Sequence, residues 1–235
     1  MQFGQIQITS GAGLNGSTEA TYVLRPWGNQ RFGRKYAFAE VDDPQIVGDN
    51  RENGVCPTCG GGLGNRPWMP PQRAKLSRGA LPDFLWGAGF DLALSAQVVE
   101  LYGSHGLSGL LRVDPPIEIV NATELRQATI IGGAPVYHNV LYAHGGADLD
   151  DARSGARRPQ GLCSRCRAGI ERLDRVIIKP GTWTGCDIFS AFGLDGAILV
   201  TSRFAALIAE HELTNGQLIP AEDYHLDFGK FPPHS

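Results

Sequence analysis

The 235-residue sequence has no apolar run of the roughly 18–20 residues needed to cross a bilayer. Its opening, MQFGQIQITSG, has neither a basic stretch nor a long apolar core, so no secretory signal is expected there. A dominant charge is also missing, because 21 Lys and Arg stand against 24 Asp and Glu, a formal charge of −3. That balance argues against a protein that coats nucleic acid or adheres to membranes through a polybasic patch. A cytoplasmic location with no membrane partner is the expectation.

Several catalytic signatures are absent too. No G-x-S-x-G elbow occurs. His211-Glu212 opens like a metalloprotease H-E-x-x-H, but Asn215 stands where the second histidine belongs. The zinc deaminase pattern needs H-x-E and a proline before its CxxC, and neither is found. Gly11-Ala-Gly13-Leu-Asn-Gly16 matches the dinucleotide fingerprint, yet Pro26 leaves too little chain for the long helix that would hold a pyrophosphate. We read it as a turn, assign no catalytic residue, and expect a protein that is not an enzyme.

What the chain does have is 42% hydrophobic and 19% charged residues, a globular composition with material for a core. Its 31 glycines and 15 prolines, about a fifth of all residues, point to short strands and turns. Strands are expected at Phe3–Ile8, Thr21–Leu24, Lys35–Val41, Asp83–Trp86, Arg175–Lys179 and Ala197–Val200, with a helix at Ser202–Glu210. A hairpin is expected from Gln127–Ile131 and Val136–Tyr142, and loops at 48–80 and 145–162. The fold class is α+β with strands in the majority.

Five cysteines carry the chemistry. Cys56-Pro-Thr-Cys59-Gly60 and Cys163-Ser-Arg-Cys166 are CxxC turns, each presenting two sulfurs on one side of a tight loop. Two such turns supply the four thiolates that structural zinc prefers, so Cys56, Cys59, Cys163 and Cys166 are the expected ligands of a structural Zn²⁺. Disulfides, two separate partial sites, or a lost site remain alternatives. Cys186 is left over, and with no His–Asn/Asp set beside it we read it as a small buried residue.

The two pairs are 107 positions apart, and a second likeness has almost the same offset. Phe90–Gly109 resembles Gly196–Asn215, matching Leu92 and Leu94 with Ile198 and Val200, His105 with His211, and Ser108 with Thr214. Both segments read as a strand, a Ser or Thr cap, a short helix and a turn. Two similar strand–helix halves are therefore expected, residues 1–120 and 121–235, packed as one unit, each donating one knuckle to a shared zinc. His105 and His211 are read as helix-end caps.

Arg153, Arg157, Arg158, Arg165, Arg167, Arg172 and Arg175 crowd the second turn. Zinc knuckles among arginines can grip phosphate, which makes nucleic acid a competing partner. Asp148, Asp150, Asp151, Glu171 and Asp174 interleave with them, so a solvated mixed-charge loop is the preferred reading.

CPTCG and CSRC in a chain of this length resemble the double-CXXCG motif proteins, a large paralogous set in myxobacteria. Trp183-Thr-Gly-Cys-Asp187-Ile-Phe189, Leu199-Val-Thr-Ser202, Leu213-Thr-Asn215 and Pro220 are similar to that family's strand–helix units. The second turn departs from the pattern, having Arg167 where the family has glycine. The resemblance implies a cytosolic immunity protein with a structural zinc that neutralises a cognate polymorphic toxin domain. A zinc-ribbon nucleic-acid binder and an enzyme that reverses a toxin's modification are the alternatives.

Overall fold

A computed structural model describes residues 20–26, 35–41, 55–63, 71–77, 79–87, 92–121 and 136–227. The strands are β1 (Thr21–Arg25), β2 (Ala39–Val41), β3 (Arg73–Leu76), β4 (Phe84–Trp86), β5 (Leu92–Ser95), β6 (Leu110–Pro116), β7 (Glu118–Asn121), β8 (Tyr137–Tyr142), β9 (Arg172–Leu173), β10 (Ile188–Ala191), β11 (Leu194–Thr201), β12 (Gln217–Pro220) and β13 (Leu226–Asp227). Among the described residues two α-helices interrupt them, α1 (Ala96–Ser104) and α2 (Ser202–Glu210). The fold is α+β and mostly β.

Two four-stranded sheets dominate, ordered β4-β5-β8-β6 and β10-β11-β1-β12, with antiparallel neighbours throughout. In each, the second strand runs straight into a helix. Ser95 and Thr201 stay extended at that junction, and their hydroxyls accept from the N–H groups of Val98 and Phe204, satisfying one orphan donor each. His105 and His211 close the same helices at their C-termini. The third strand of each sheet comes from the other part of the chain. β1 pairs with β11 and β12, whereas β8 pairs with β5 and β6.

Strands β5 and β10 and the 197–200 part of β11 are buried on both faces, which is why they read as near-continuous apolar runs. Leu92, Leu94, Val140, Ile198, Val200 and Leu24 turn into one core with Val98, Phe204 and Leu207 from the helices. Tyr102 and Phe84 place their rings 5.9 and 6.3 Å from Phe204. Alternate residues enter separate cores, Val23, Leu199 and Phe189 with Leu149, Leu173 and Val176 on one side, Ala93 and Leu85 with Ala74 and Leu76 on the other.

Polar contacts between the sheets are reciprocal. Asp83 accepts from the N–H and hydroxyl of Thr214 at 2.7 Å, and Asp187 accepts from the N–H and hydroxyl of Ser108 at 2.8 and 3.1 Å. Each carboxylate also holds a helix cap, Asp83 the Ser95 hydroxyl and Asp187 the Thr201 hydroxyl. Gly109 fits only without a side chain, since a Cβ there would stand 2.1 Å from the Ile188 carbonyl oxygen.

Three expectations are corrected by this architecture. Within the expected 48–80 loop, Arg73–Leu76 forms β3, pairing with β2 and β7. Arg175–Lys179 makes only an isolated bridge from Ile178 to Leu149 rather than a strand, and β10 forms upstream of the expected Ala197–Val200 strand. Val136–Tyr142 forms β8, but its partners are β5 and β6, while Gln127–Ile131, Phe3–Ile8 and the Gly11–Gly16 turn lie outside the described residues.

Candidate metal centre: a four-sulfur cluster

Cys56 enters its turn from a bridge between Val55 and Gly62. The turn closes when the Gly60 N–H donates to the Cys56 carbonyl at 2.9 Å, and the Cys56 N–H donates to Gly61 at 2.7 Å. Gly60 adopts φ of +71°, a left-handed conformation that favours glycine. In the second turn the Arg167 N–H donates to the Cys163 carbonyl, also at 2.9 Å. Arg167 takes φ of +50°, the same left-handed region, with an arginine side chain attached.

A network of charges holds that arginine. Its guanidinium pairs with Asp148 and Asp151 and donates to the Leu149 carbonyl. Arg158 pairs with Asp151 at 2.8 Å and donates to the carbonyls of Arg167, Gly169 and Gly193. Gly193 leaves room for both guanidinium groups, because a Cβ there would stand 2.7 and 2.8 Å from their nitrogens. Its N–H donates to the Cys166 carbonyl at 2.9 Å, tying the turn to β10 and β11. Arg165 lies 3.9 Å over the Phe192 ring and pairs with Asp148. Asp148 is buried, and although burial pushes its carboxyl up, Arg167 and Lys179 hold it below the ordinary value.

The two turns meet. Cys56 Sγ is 3.7 Å from Cys163 Sγ, Cys59 Sγ is 3.7 Å from Cys166 Sγ, and all four sulfurs lie within 4.8 Å of one another. Each close pair joins residues 107 positions apart. The separation is far beyond the roughly 2.05 Å of a disulfide, and all five cysteines are free thiols. A tetrahedron with metal–sulfur bonds of about 2.3 Å has edges of about 3.8 Å, so the donor set fits a thiolate-bound cation in type, number and spacing. The cluster is a possible metal site.

Its electrostatics point the same way. Burial pushes the Cys56 thiol up, but the N–H groups of Cys59 and Thr58 and the thiols of Cys163 and Cys59 outweigh it and bring it down to about 6. The N–H groups of Cys166 and Arg165 lower Cys163 against its burial. At Cys166 the Ala168 N–H lowers the thiol, yet burial and the sulfurs of Cys59, Cys163 and Cys56 carry it up to about 12. Ionising the first thiols therefore opposes ionising the last, and a dication among them removes that opposition.

The remaining cysteine stays apart from the cluster. Cys186 is half-buried, with its sulfur 3.5 Å from the Thr184 hydroxyl and its carbonyl accepting from the Trp183 indole at 3.1 Å. The sequence reading found all four clustered sulfurs but missed Asp148, Asp151, Arg158 and Gly193 as their supports. The available signal is the alternation of arginines and acids around the turn, a pattern that reads equally well as a solvated loop. Among the described residues, no helix is long and apolar enough to cross a membrane. In comparisons with known proteins, the chain matches no family model and no curated protein.

Proposed function

We propose that the chain is an immunity protein of the double-CXXCG type. It would bind a cognate polymorphic toxin domain in the cytoplasm and block that domain's action. In this reading it is built from two similar strand–helix halves, near 1–120 and 121–235, each donating one CxxC knuckle to a single structural zinc. The equivalent order of the two sheets supports the duplication, as do the reciprocal Asp83–Thr214 and Asp187–Ser108 contacts.

The observation that carries the scaffold part of this reading is the closure of the four-sulfur cluster. Four thiolates fill a tetrahedral shell, leaving no position for water or substrate, so the cation serves the scaffold rather than turnover. A cation there would link turns 107 residues apart and hold them in one arrangement before a partner arrives. The immunity role itself rests on the resemblance of CPTCG, CSRC and the Trp183–Phe189 segment to that family.

Nucleic-acid binding is less well supported, because Arg158, Arg165, Arg167 and Arg172 are engaged by Asp151, Asp148 and Asp174 instead of forming an open basic face. The test is to mix the purified protein with the toxin domain encoded by the adjacent reading frame. A stable complex that suppresses toxicity is expected. Failure to bind any neighbouring toxin domain would overturn the assignment, and affinity for DNA or RNA that falls steeply with salt would favour the alternative.

A further inference from the structure

The two helix-end histidines take no part in the sulfur cluster. His105 closes α1 and His211 closes α2, and their rings meet edge to face with centroids 5.4 Å apart. Beside them stands Glu210, the last residue of α2. One ligating atom from each of the three residues lies within 4.8 Å of the other two. We propose that His105, Glu210 and His211 form a second metal site, an exchangeable one for a divalent transition cation such as Zn²⁺, Ni²⁺ or Co²⁺.

Two imidazoles and a carboxylate are the donors such ions favour, whereas Ca²⁺ and Mg²⁺ call for all-oxygen shells. His105 Nδ1 lies 2.8 Å from the Leu101 carbonyl oxygen. A carbonyl only accepts, so Nδ1 donates, and in the neutral ring the lone pair then sits on Nε2, the arrangement by which a second hydrogen bond orients a ligating histidine. His211 Nε2 is buried and has no hydrogen-bond partner, which makes it an unsatisfied nitrogen in a setting where such groups are rare.

The surrounding field also favours a cation. The C-termini of both helices converge here, each equivalent to about half a negative charge, and Glu210 adds its carboxylate. Arg203 reaches the same corner, but Asp187 holds its guanidinium at 3.1 Å, and its other nitrogen donates to the carbonyls of His105 and Gly106. Ligand edges around zinc with nitrogen and oxygen donors are about 3.3 Å, so the side chains must close by no more than about 1.5 Å. His105 and Glu210 are exposed, which allows that rotation and gives the ion a route in. With three protein donors and water completing the shell, the ion exchanges, unlike one enclosed by four thiolates.

This inference stands apart from the immunity reading and from the sulfur site. Purified protein is dialysed against zinc, and metal per chain is counted in wild type, the His105→Ala/His211→Ala double variant and Glu210→Gln. Wild type should take up a second, exchangeable equivalent that the double variant lacks. Glu210→Gln should weaken it by at least the roughly 10–100-fold that loss of an outer-shell partner costs, because a direct ligand is removed. Circular dichroism spectra and melting curves should be the same in all three, reporting that each is folded. In NMR spectra, Ni²⁺ should first broaden the imidazole signals of His105 and His211 and leave those of His138, His144 and His225 sharp, a readout that needs no variant and no metal at the sulfurs. An exchangeable equivalent that persists in the double variant, no exchangeable equivalent in wild type, or equal broadening of all histidines would each overturn the proposal.

Discussion

At Cys56–Gly60 the chain reverses on a glycine, which enters the left-handed region at little steric cost and needs nothing around it. A Cβ at Gly60 would have no neighbour within 4 Å. At Cys163–Arg167 the reversal has the same closing hydrogen bond, yet an arginine occupies the left-handed position. That conformation costs of order 1–3 kcal/mol for a residue with a side chain. Here the cost is offset by ion pairs to Asp148 and Asp151. The first turn is shaped by its own backbone and the second by the tertiary structure behind it. The two turns should therefore differ in what breaks them and share only their dependence on the sulfurs.

The largest effect follows from that shared dependence. Cys59→Ser and Cys166→Ser should each remove tightly held metal and lower the melting temperature, by about 10–20 °C if 4–5 kcal/mol is lost. Metal analysis beside a thermal scan checks this, and a variant that kept full metal content would break the symmetry of the comparison.

Next in size is Asp148→Asn, which leaves Arg167 and Arg165 facing a neutral amide. Removing one partner of such a buried pair should cost about 2–4 kcal/mol. The pH dependence has a definite sign. Asp148 is held below its ordinary value of 3.8, so its stabilisation is complete above that value and is lost as the pH falls through the lowered folded value. Denaturant curves for wild type and Asp148→Asn should be well separated at pH 7 and converge in acid. Curves that stayed parallel would sever the second turn from its charged support.

Smaller effects separate the two turns directly. Gly60→Ala should cost about 1 kcal/mol, from backbone strain alone. Arg167→Gly should relieve strain but take one ion-pair partner from Asp148, which keeps Arg165 and Lys179, and one from Asp151, which keeps Arg158, for a net loss of about 1–2 kcal/mol. If the arginine variant were the more stable, the ion pairs would not be what holds the turn. Smallest of all, Cys186→Ser should leave the metal content unchanged and shift stability by under about 1 kcal/mol, measurable in the same assays.

Much of this was legible in the sequence for local reasons. The CxxC spacing determines which sulfurs can share a face, and the apolar runs ending in Ser95 and Thr201 announce strand-to-helix junctions. The exchange of β1 and β8 between sheets was not legible, because pairing partners depend on long-range packing while the apolar pattern of either strand suits both sheets. The inward turn of Arg158 and Arg167 was hidden for a similar reason. Arginines alternating with acids look alike whether they face water or carbonyls, and only Gly193, which admits both guanidinium groups, separates the two cases. β3, β9 and β10 are four residues or shorter, too brief for periodicity to register.

The account turns on two remote CxxC turns binding one ion between them. X-ray absorption at the zinc edge, recorded on the metal retained after a chelator wash, tests this most directly. It should give one zinc per chain with four sulfur neighbours at about 2.3 Å. A protein that retains no metal, or zinc coordinated by nitrogen and oxygen alone, would contradict it.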